Sequence, residues 1–473
     1  MGEVVLELGE GVGPLFLRLC AAVIDSIEQR RFGPGERLPS SRALARSLGI
    51  HRNTVLRAYR ELELQGWIET RPAQGTYIAD ELPVKLAAAR RTGDADVGFA
   101  LRRREWSPRR RLPFPLLGGL PDMSSVPTAA LARAYRRSIR GPSHRLGYGH
   151  PAGEDTLREA LATHLRESRG LSHTSEAIMV TRGSQQALHL LALALLSPGD
   201  RVAVESLGYR PAHEALRSAG ARLLPISLDD EGLMVERLEA KLAEGRIRAV
   251  YVTPHHQYPT TVTMSPRRRR ALLQLVARHR IAVLEDDYDH EFHFDGRPVL
   301  PLGARDRAGV VVHIGTFSKV LAPALRIGWV AAPKPLIETL TAIRTTVDRQ
   351  GDRHVERAVA ELLDEGEITR HALRMRRVYR RRRACLIEAL QTHLPDALTF
   401  EPPRGGLALW AHTGDVNADE WKVRAEAQGV LVQSTNEFTQ GPRKARHFRI
   451  GYASLDETGL RDAVRRLAAA RQA

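Results

Sequence analysis

The chain has 473 residues, 43% of them hydrophobic and 27% charged, so it is too long for one ordinary core and too apolar to be disordered. Its formal net charge is +16 and its isoelectric point is near 10.4, which favours a polyanionic partner; an arginine-rich composition spread over every surface is the competing source of that charge. Cys20 and Cys385 give neither a disulfide framework nor a CxxC metal site, Met1-Gly2-Glu3-Val4 begins no signal peptide, and no run of about 18 apolar residues spans a membrane, so a cytoplasmic protein without a metal site is expected.

In chain order, Leu15, Leu19, Ala22, Val23, Ser26 and Ile27 recur at helical spacing and predict a first helix, closed by Phe32-Gly33-Pro34-Gly35. Ser40 or Ser41 caps a second helix with an inner face of Leu44, Ala45 and Leu48. Gly49 permits a tight turn, and His51-Arg52-Asn53-Thr54 opens a third helix anchored by Val55, Ala58, Tyr59, Leu62 and Leu64. Trp67-Ile68-Glu69-Thr70 and Gly75-Thr76-Tyr77-Ile78 read as two strands joined by Arg71-Pro72-Ala73-Gln74.

This order is a winged helix-turn-helix in a domain spanning residues 1–80. Such a recognition helix enters the major groove of double-stranded DNA by its N-terminal end. Arg42, Arg52, Asn53 and Thr54 are the DNA-binding candidates. One exposed arginine alone would be a solvated turn; the complete helix–turn–helix–hairpin order is what points to an operator. The stretch resembles the winged-helix head of the GntR family, whose Leu-Pro-Ser-x-Arg-x-Leu-Ala pattern stands here as Leu38-Pro39-Ser40-Ser41-Arg42-Ala43-Leu44-Ala45.

Both periodicities fade after Asp80, and residues 81–112 read as a basic linker carrying Arg102-Arg103-Arg104 and Arg109-Arg110-Arg111, a solvated charge run in preference to added phosphate contacts. The clusters Arg267 to Arg270 and Arg380 to Arg383 read as solvated helix faces or subunit contacts.

Residues 113–473 alternate short apolar runs with amphipathic helical stretches such as Gln185 to Leu196 and Arg269 to Arg278. The runs are Ala177 to Val180, Arg201 to Val204, Ala249 to Val252, Ile281 to Leu284 and Val310 to Ile314. This is the pattern of an α/β domain with a mostly parallel sheet, which binds ligands beyond its strand ends. Polar residues cluster there. Gly183-Ser184-Gln185 offers a helix start for a phosphate, and Tyr209 offers a ring for stacking. Glu285-Asp286-Asp287-Tyr288-Asp289 offers a carboxylate for a pyridinium N–H and a phenol for a ring oxygen. Ser318 and Lys319 follow the fifth run, with Arg326 seven residues on. Each of these alone has an ordinary structural explanation. Together they match the needs of pyridoxal 5'-phosphate (PLP).

The constellation resembles the fold-type I aminotransferases over roughly residues 113–470, and most closely the MocR-type group of GntR regulators. Leu146-Gly147-Tyr148-Gly149, Glu285 to Asp289 and Phe317-Ser318-Lys319-Val320-Leu321-Ala322-Pro323 look like that group's signatures. The resemblance implies Lys319 as the Schiff-base lysine, Asp286 at the pyridine nitrogen, Tyr288 at the ring oxygen and Tyr209 stacked on the ring. It implies Ser184, Gln185, Ser318 and Arg326 at the phosphate, Tyr148 reaching it from a partner subunit, and Arg449 on an effector carboxylate.

Tyr258-Pro259-Thr260-Thr261 departs from the aminotransferase Asn-Pro-x-Gly, and His290 stands where Ser is common in the group; both weigh against efficient transamination. The function implied is a PLP-dependent transcriptional regulator that senses PLP or an amine or amino-acid effector and acts as a homodimer. The alternative is an active aminotransferase carrying a DNA-binding head.

Overall fold

A computed structural model describes Leu6, Leu8 and residues 13–83, 111–296 and 299–472. The chain divides into two compact units, Met1–Ser107 and Pro108–Ala473. Most of the expected linker, residues 81–112, lies outside the described residues, including both arginine triplets apart from Arg111.

The first unit contains α1 (Leu15–Glu28), α2 (Ser41–Leu48), α3 (Arg52–Leu64) and an antiparallel hairpin of β1 (Ile68–Arg71) and β2 (Gly75–Ile78). Ser40 caps α2 by accepting from the Ala43 backbone N–H, and Gly49 ends it at φ 65°. His51 caps α3 through Nδ1, which accepts from Asn53 N at 3.2 Å. Leu19, Val23, Val55, Ala58, Leu62 and Ile78 pack one small core. Leu64, expected among the anchors of α3, is instead 84% exposed. It closes the last turn of α3 two residues beyond Leu62, and residues two apart on a helix do not share a face.

The second unit is built on a seven-stranded sheet. Its strands are β3 (Ile178–Thr181), β4 (Arg201–Glu205), β5 (Arg222–Ile226), β6 (Ala249–Val252), β7 (Ala282–Asp287), β8 (Val311–Thr316) and β9 (Gly328–Ala331). Their order is β3-β9-β8-β7-β6-β4-β5, and β9 alone runs against the rest. The five expected strands are all present and almost wholly buried. Two were not expected. Strand β5 carries Pro225, which an edge position tolerates. Strand β9 is four residues long, and its Trp329 lies across Gly315 of β8, where a Cβ would meet the indole at 2.1 Å. Helix α4 (Ser184–Leu195) follows β3 directly.

A smaller sheet of β10 (Ala408–His412), β12 (His447–Gly451) and β11 (Gln433–Ser434), in that order, lies C-terminal to the long helix α5 (Glu367–His393) and beside α6 (Ala418–Ala427). No helix among the described residues is long and apolar enough to cross a membrane.

The arginine clusters are not solvated throughout. Arg267, Arg270, Arg380 and Arg381 are exposed, but Arg268, Arg269 and Arg382 turn inward. Arg269 donates to the carbonyls of Met264, Leu300 and Pro254. Arg382 donates to Ala453 O and pairs with Asp122 at 2.8 Å. Burial would raise the Asp122 carboxyl, but hydrogen bonds from Ser124 and Arg382 outweigh it and hold it below its usual range.

The contrast on α3 is measurable in the full-length protein by denaturant unfolding of the first unit. Leu62→Ala is expected to cost about 2–5 kcal/mol, and Leu64→Ala to stay within about 0.5 kcal/mol of wild type.

Candidate functional site

A cavity of about 410 Å³ opens at the C-terminal ends of the parallel strands. Its wall brings together Lys319, Asp286, Tyr288, Tyr209, Ser184, Gln185, Ser318 and Arg326, which the sequence scatters over 143 positions from 184 to 326. Parallel connectivity explains this, because every β-to-helix turn emerges on the same side of the sheet.

Asp286 is the penultimate residue of β7 and is buried. Its Oδ2 accepts from the Tyr251 hydroxyl at 2.8 Å, while Oδ1 is buried without a partner among the described residues. Burial pushes this carboxyl up to about 7, against the hydrogen bond from Tyr251 and the charge of Lys319, which pull it down. A cationic N–H delivered to Oδ1 would satisfy the orphan and favour the carboxylate, so the residue fits a protonated pyridine. Lys319 projects from the end of β8 and donates from Nζ to Gly119 O at 2.7 Å. Gly119 has φ +92°, a conformation that glycine adopts without strain.

At one end of the cavity, helix α4 begins at Ser184 with Gly183 as N-cap and no side chain capping its free N–H groups. The Arg326 guanidinium lies against Gly183, where a Cβ would meet Nη2 at 2.7 Å, and it donates to Arg182 O at 2.7 Å. Ser318 Oγ accepts from Thr316 Oγ1 at 2.9 Å. A helix N-terminus, two hydroxyls and an arginine together could hold a phosphate.

At the aromatic wall, the Tyr258 ring stands edge-on to Tyr209 at 5.4 Å and to Tyr288 at 6.0 Å. Tyr258 opens the segment that departs from Asn-Pro-x-Gly. The glycine position of that pattern is Thr261, held at φ +66°, so the backbone keeps a turn that disfavours a β-branched residue. The Tyr288 hydroxyl donates to His256 O at 2.9 Å.

Two expected residues lie off the cavity wall. Arg449, in the middle of the small sheet, is buried behind Tyr258, 4.3 Å from its ring centroid. It donates to Pro259 O at 2.8 Å and leaves Nε unpaired. Tyr148 is 78% exposed, with the Arg349 guanidinium 4.3 Å from its ring.

Several wall residues were not singled out from sequence. Tyr251 sits inside an apolar run and read as core; its hydroxyl was the signal. Lys422 comes from α6, Gln433 from the small sheet and Glu437 from the short turn Thr435–Glu437 that follows it, and Lys422 pairs with Glu437 at 2.7 Å. Nothing in their local sequence marks them.

In the first unit, Arg42, Arg52 and Asn53 are exposed and Thr54 is half-buried, at the N-terminal ends of α2 and α3. Arg52 Nε donates to Ser41 Oγ at 3.4 Å, which joins the two helix starts. Neither Arg42 nor Arg52 has an acidic partner among the described residues, so both guanidiniums are open to phosphate. In the hairpin, Arg71 stacks on Tyr77 and pairs with Glu69.

Residues 118–467 match the family described as aminotransferase class I and II, and residues 16–78 match the bacterial regulatory proteins of the gntR family. The chain is 33% identical over 445 residues to the probable rhizopine catabolism regulatory protein MocR of Rhizobium meliloti, covering 92% of this chain and 89% of that protein. It is 32% identical over 484 aligned positions to the HTH-type transcriptional regulator TauR of Rhodobacter capsulatus, covering 97% of each. Among solved structures, kynurenine aminotransferase of Pyrococcus horikoshii, in complex with PMP, superposes with a TM-score of 0.71 at 31% identity, covering 76% of this chain and 90% of that chain.

The unpaired oxygen of Asp286 gives a direct measurement. Losing a charge-assisted hydrogen bond costs about 1.5–3 kcal/mol, so Asp286→Asn is expected to weaken PLP binding by roughly 10- to 100-fold in a spectroscopic titration. Because burial pushes the ligand-free carboxyl up to about 7, wild-type affinity is expected to fall as pH drops through the neutral range. Asp286→Asn should flatten that dependence.

Proposed function

The chain belongs to the MocR-type subgroup of GntR-family regulators, which joins a winged helix to an aminotransferase class I and II domain, and on that premise we propose that it couples occupancy of the Lys319 cavity to operator binding. It is a PLP-dependent transcriptional regulator. The reading of its cavity as a sensor rests on one observation: Lys319 Nζ and the unpaired Oδ1 of Asp286 belong to the same cavity, in a chain that also carries a DNA-reading head.

When bound, PLP supplies an aldehyde that condenses with primary amines and a pyridine ring that withdraws electrons. The chain's own residues would do the rest. Ser184, Gln185, Ser318 and Arg326 would hold the phosphate, Asp286 would take the ring N–H, and Tyr209 would pack on the ring. Tyr288 would face the ring oxygen. Lys319 would offer its amine to that aldehyde, in competition with a small amine or amino acid. The buried Arg449 would receive an effector carboxylate once Tyr258 moves aside. An effector switches DNA binding only if it favours one of two conformations.

A homodimer is part of this reading. Leu146 and Tyr148 are 67% and 78% exposed side by side in sequence, which suits a subunit contact and brings Tyr148 toward a partner's cavity. Two heads would then read paired or repeated half-sites in the cytoplasm. An active aminotransferase remains the second reading, favoured by the complete set of cofactor residues on the cavity wall.

Two measurements test the proposal. Lys319→Ala is expected to abolish the visible Schiff-base band and the effect of added amines on operator binding; colour and response that both survive would overturn it. A full transamination cycle with operator binding unaffected would support the enzyme instead. Arg52→Ala is expected to weaken operator binding and to reduce the slope of log K against log salt by about 0.9, the value of one phosphate contact.

A further inference from the structure

Behind Tyr288, outside the cavity wall, lies a pocket of imidazoles, and we propose that it binds one borderline divalent metal ion of the zinc, nickel or cobalt type through His255, His256 and His293. All three side chains are buried, at 4%, 1% and 4% exposure. Their candidate donor atoms lie within 4.8 Å of one another. Both ring nitrogens of His255, Nε2 of His256 and Nδ1 of His293 have no hydrogen-bond partner among the described residues. A neutral imidazole carries one N–H and one lone pair, and burying either unmatched is unfavourable. One cation supplies what the three lone pairs lack.

The surroundings are those of a ligand set. The Asp289 carboxylate accepts from His256 Nδ1 at 2.8 Å, which fixes the tautomer that frees the Nε2 lone pair. Gly405 closes over the pocket by pairing with His293 across a backbone bridge. A Cβ at Gly405 would meet His256 Nε2 at 2.5 Å, so only glycine leaves that donor open. Three imidazoles without a thiolate suit zinc, nickel or cobalt and do not suit magnesium or calcium. Tetrahedral coordination at 2.0–2.1 Å separates donors by about 3.3 Å, so the rings need only close inward.

A second grouping, His255 with Asp287 and His290, shares one ligand with the first. It is the weaker set, because the Asp287 charge is already balanced by Arg169, 3.2 Å from Oδ2, and lies 3.1 Å from His290 Nδ1, although its Oδ1 has no partner among the described residues. In the favoured set the ion would tie the segment after β6 to the segment after β7 beneath the Gly405 loop. His256 O accepts from the Tyr288 hydroxyl, so the ion would also fix that phenol at the cavity wall.

The test uses full-length, tag-free protein, stripped with chelator and titrated with Zn²⁺, with bound metal measured by mass spectrometry. One equivalent per chain is expected, with His255→Asn and His293→Gln each at least tenfold weaker and His290→Asn within twofold of wild type. Metal-free melting temperatures and PLP absorbance check that the variants fold. X-ray absorption on the wild-type zinc protein, expected to show three imidazole nitrogens, decides the matter if they do not. Failure of wild type to retain zinc, retention in both His255→Asn and His293→Gln, or loss in His290→Asn with retention in His293→Gln would overturn the proposal. None of these outcomes depends on whether the cavity senses amines.

Discussion

Asp286 is the group around which the large unit is arranged. A carboxylate at the end of a central parallel strand has little water to stabilise it, and only one of its oxygens has a partner, the Tyr251 hydroxyl. The cost of that arrangement is visible in a carboxyl pushed up to about 7. A cofactor bearing a ring N–H removes the cost, so cofactor binding and the electrostatics of the site are one problem. Lys319, two strand ends' worth of side chains and the start of α4 are placed relative to that carboxylate by the register of the sheet, in which Asp286 pairs with Ile314 and Asp287 with Gly315.

Register in turn depends on packing that carries no chemistry. Trp329 of the single reversed strand covers Gly315, and the same strand brings Gly328 against Gly183. The turn at the start of α4 is thus held by a tryptophan and three glycines together with polar contacts, among them the Arg326 bond to Arg182 O and the Thr181 hydroxyl bond to Gly183 O. The histidine-rich layer beneath Tyr288 belongs to the same neighbourhood, because the segments after β6 and β7 supply both it and the cavity wall.

The winged helix solves a different problem with different means. Its core is a compact set of apolar residues on three helices and a hairpin, and its charge is kept outward at helix N-termini, where free N–H groups and arginines both favour phosphate. A +16 chain need not place each arginine on DNA: Arg268, Arg269 and Arg382 spend theirs on buried carbonyls and carboxylates of the large unit.

The division of labour between sequence and tertiary structure follows the range of the interactions. Local signals determined the three short helices, a serine cap at Ser40 or Ser41, the turn at Gly49, the hairpin, and five buried strands, because each depends on periodicity or on a residue's own backbone preference. Motif chemistry at strand ends was legible for the same reason: Asp286, Ser184 and Lys319 follow apolar runs by two, four and five residues. Tertiary structure alone decided which side chains share a wall. It brought Lys422, Gln433 and Glu437 from more than 100 residues beyond Lys319, put Tyr258 between Arg449 and the cavity, and left Tyr148 outside it. It reversed β9, buried three arginines that looked solvated and exposed Leu64. Those outcomes depend on long-range packing against partners that no window of sequence contains.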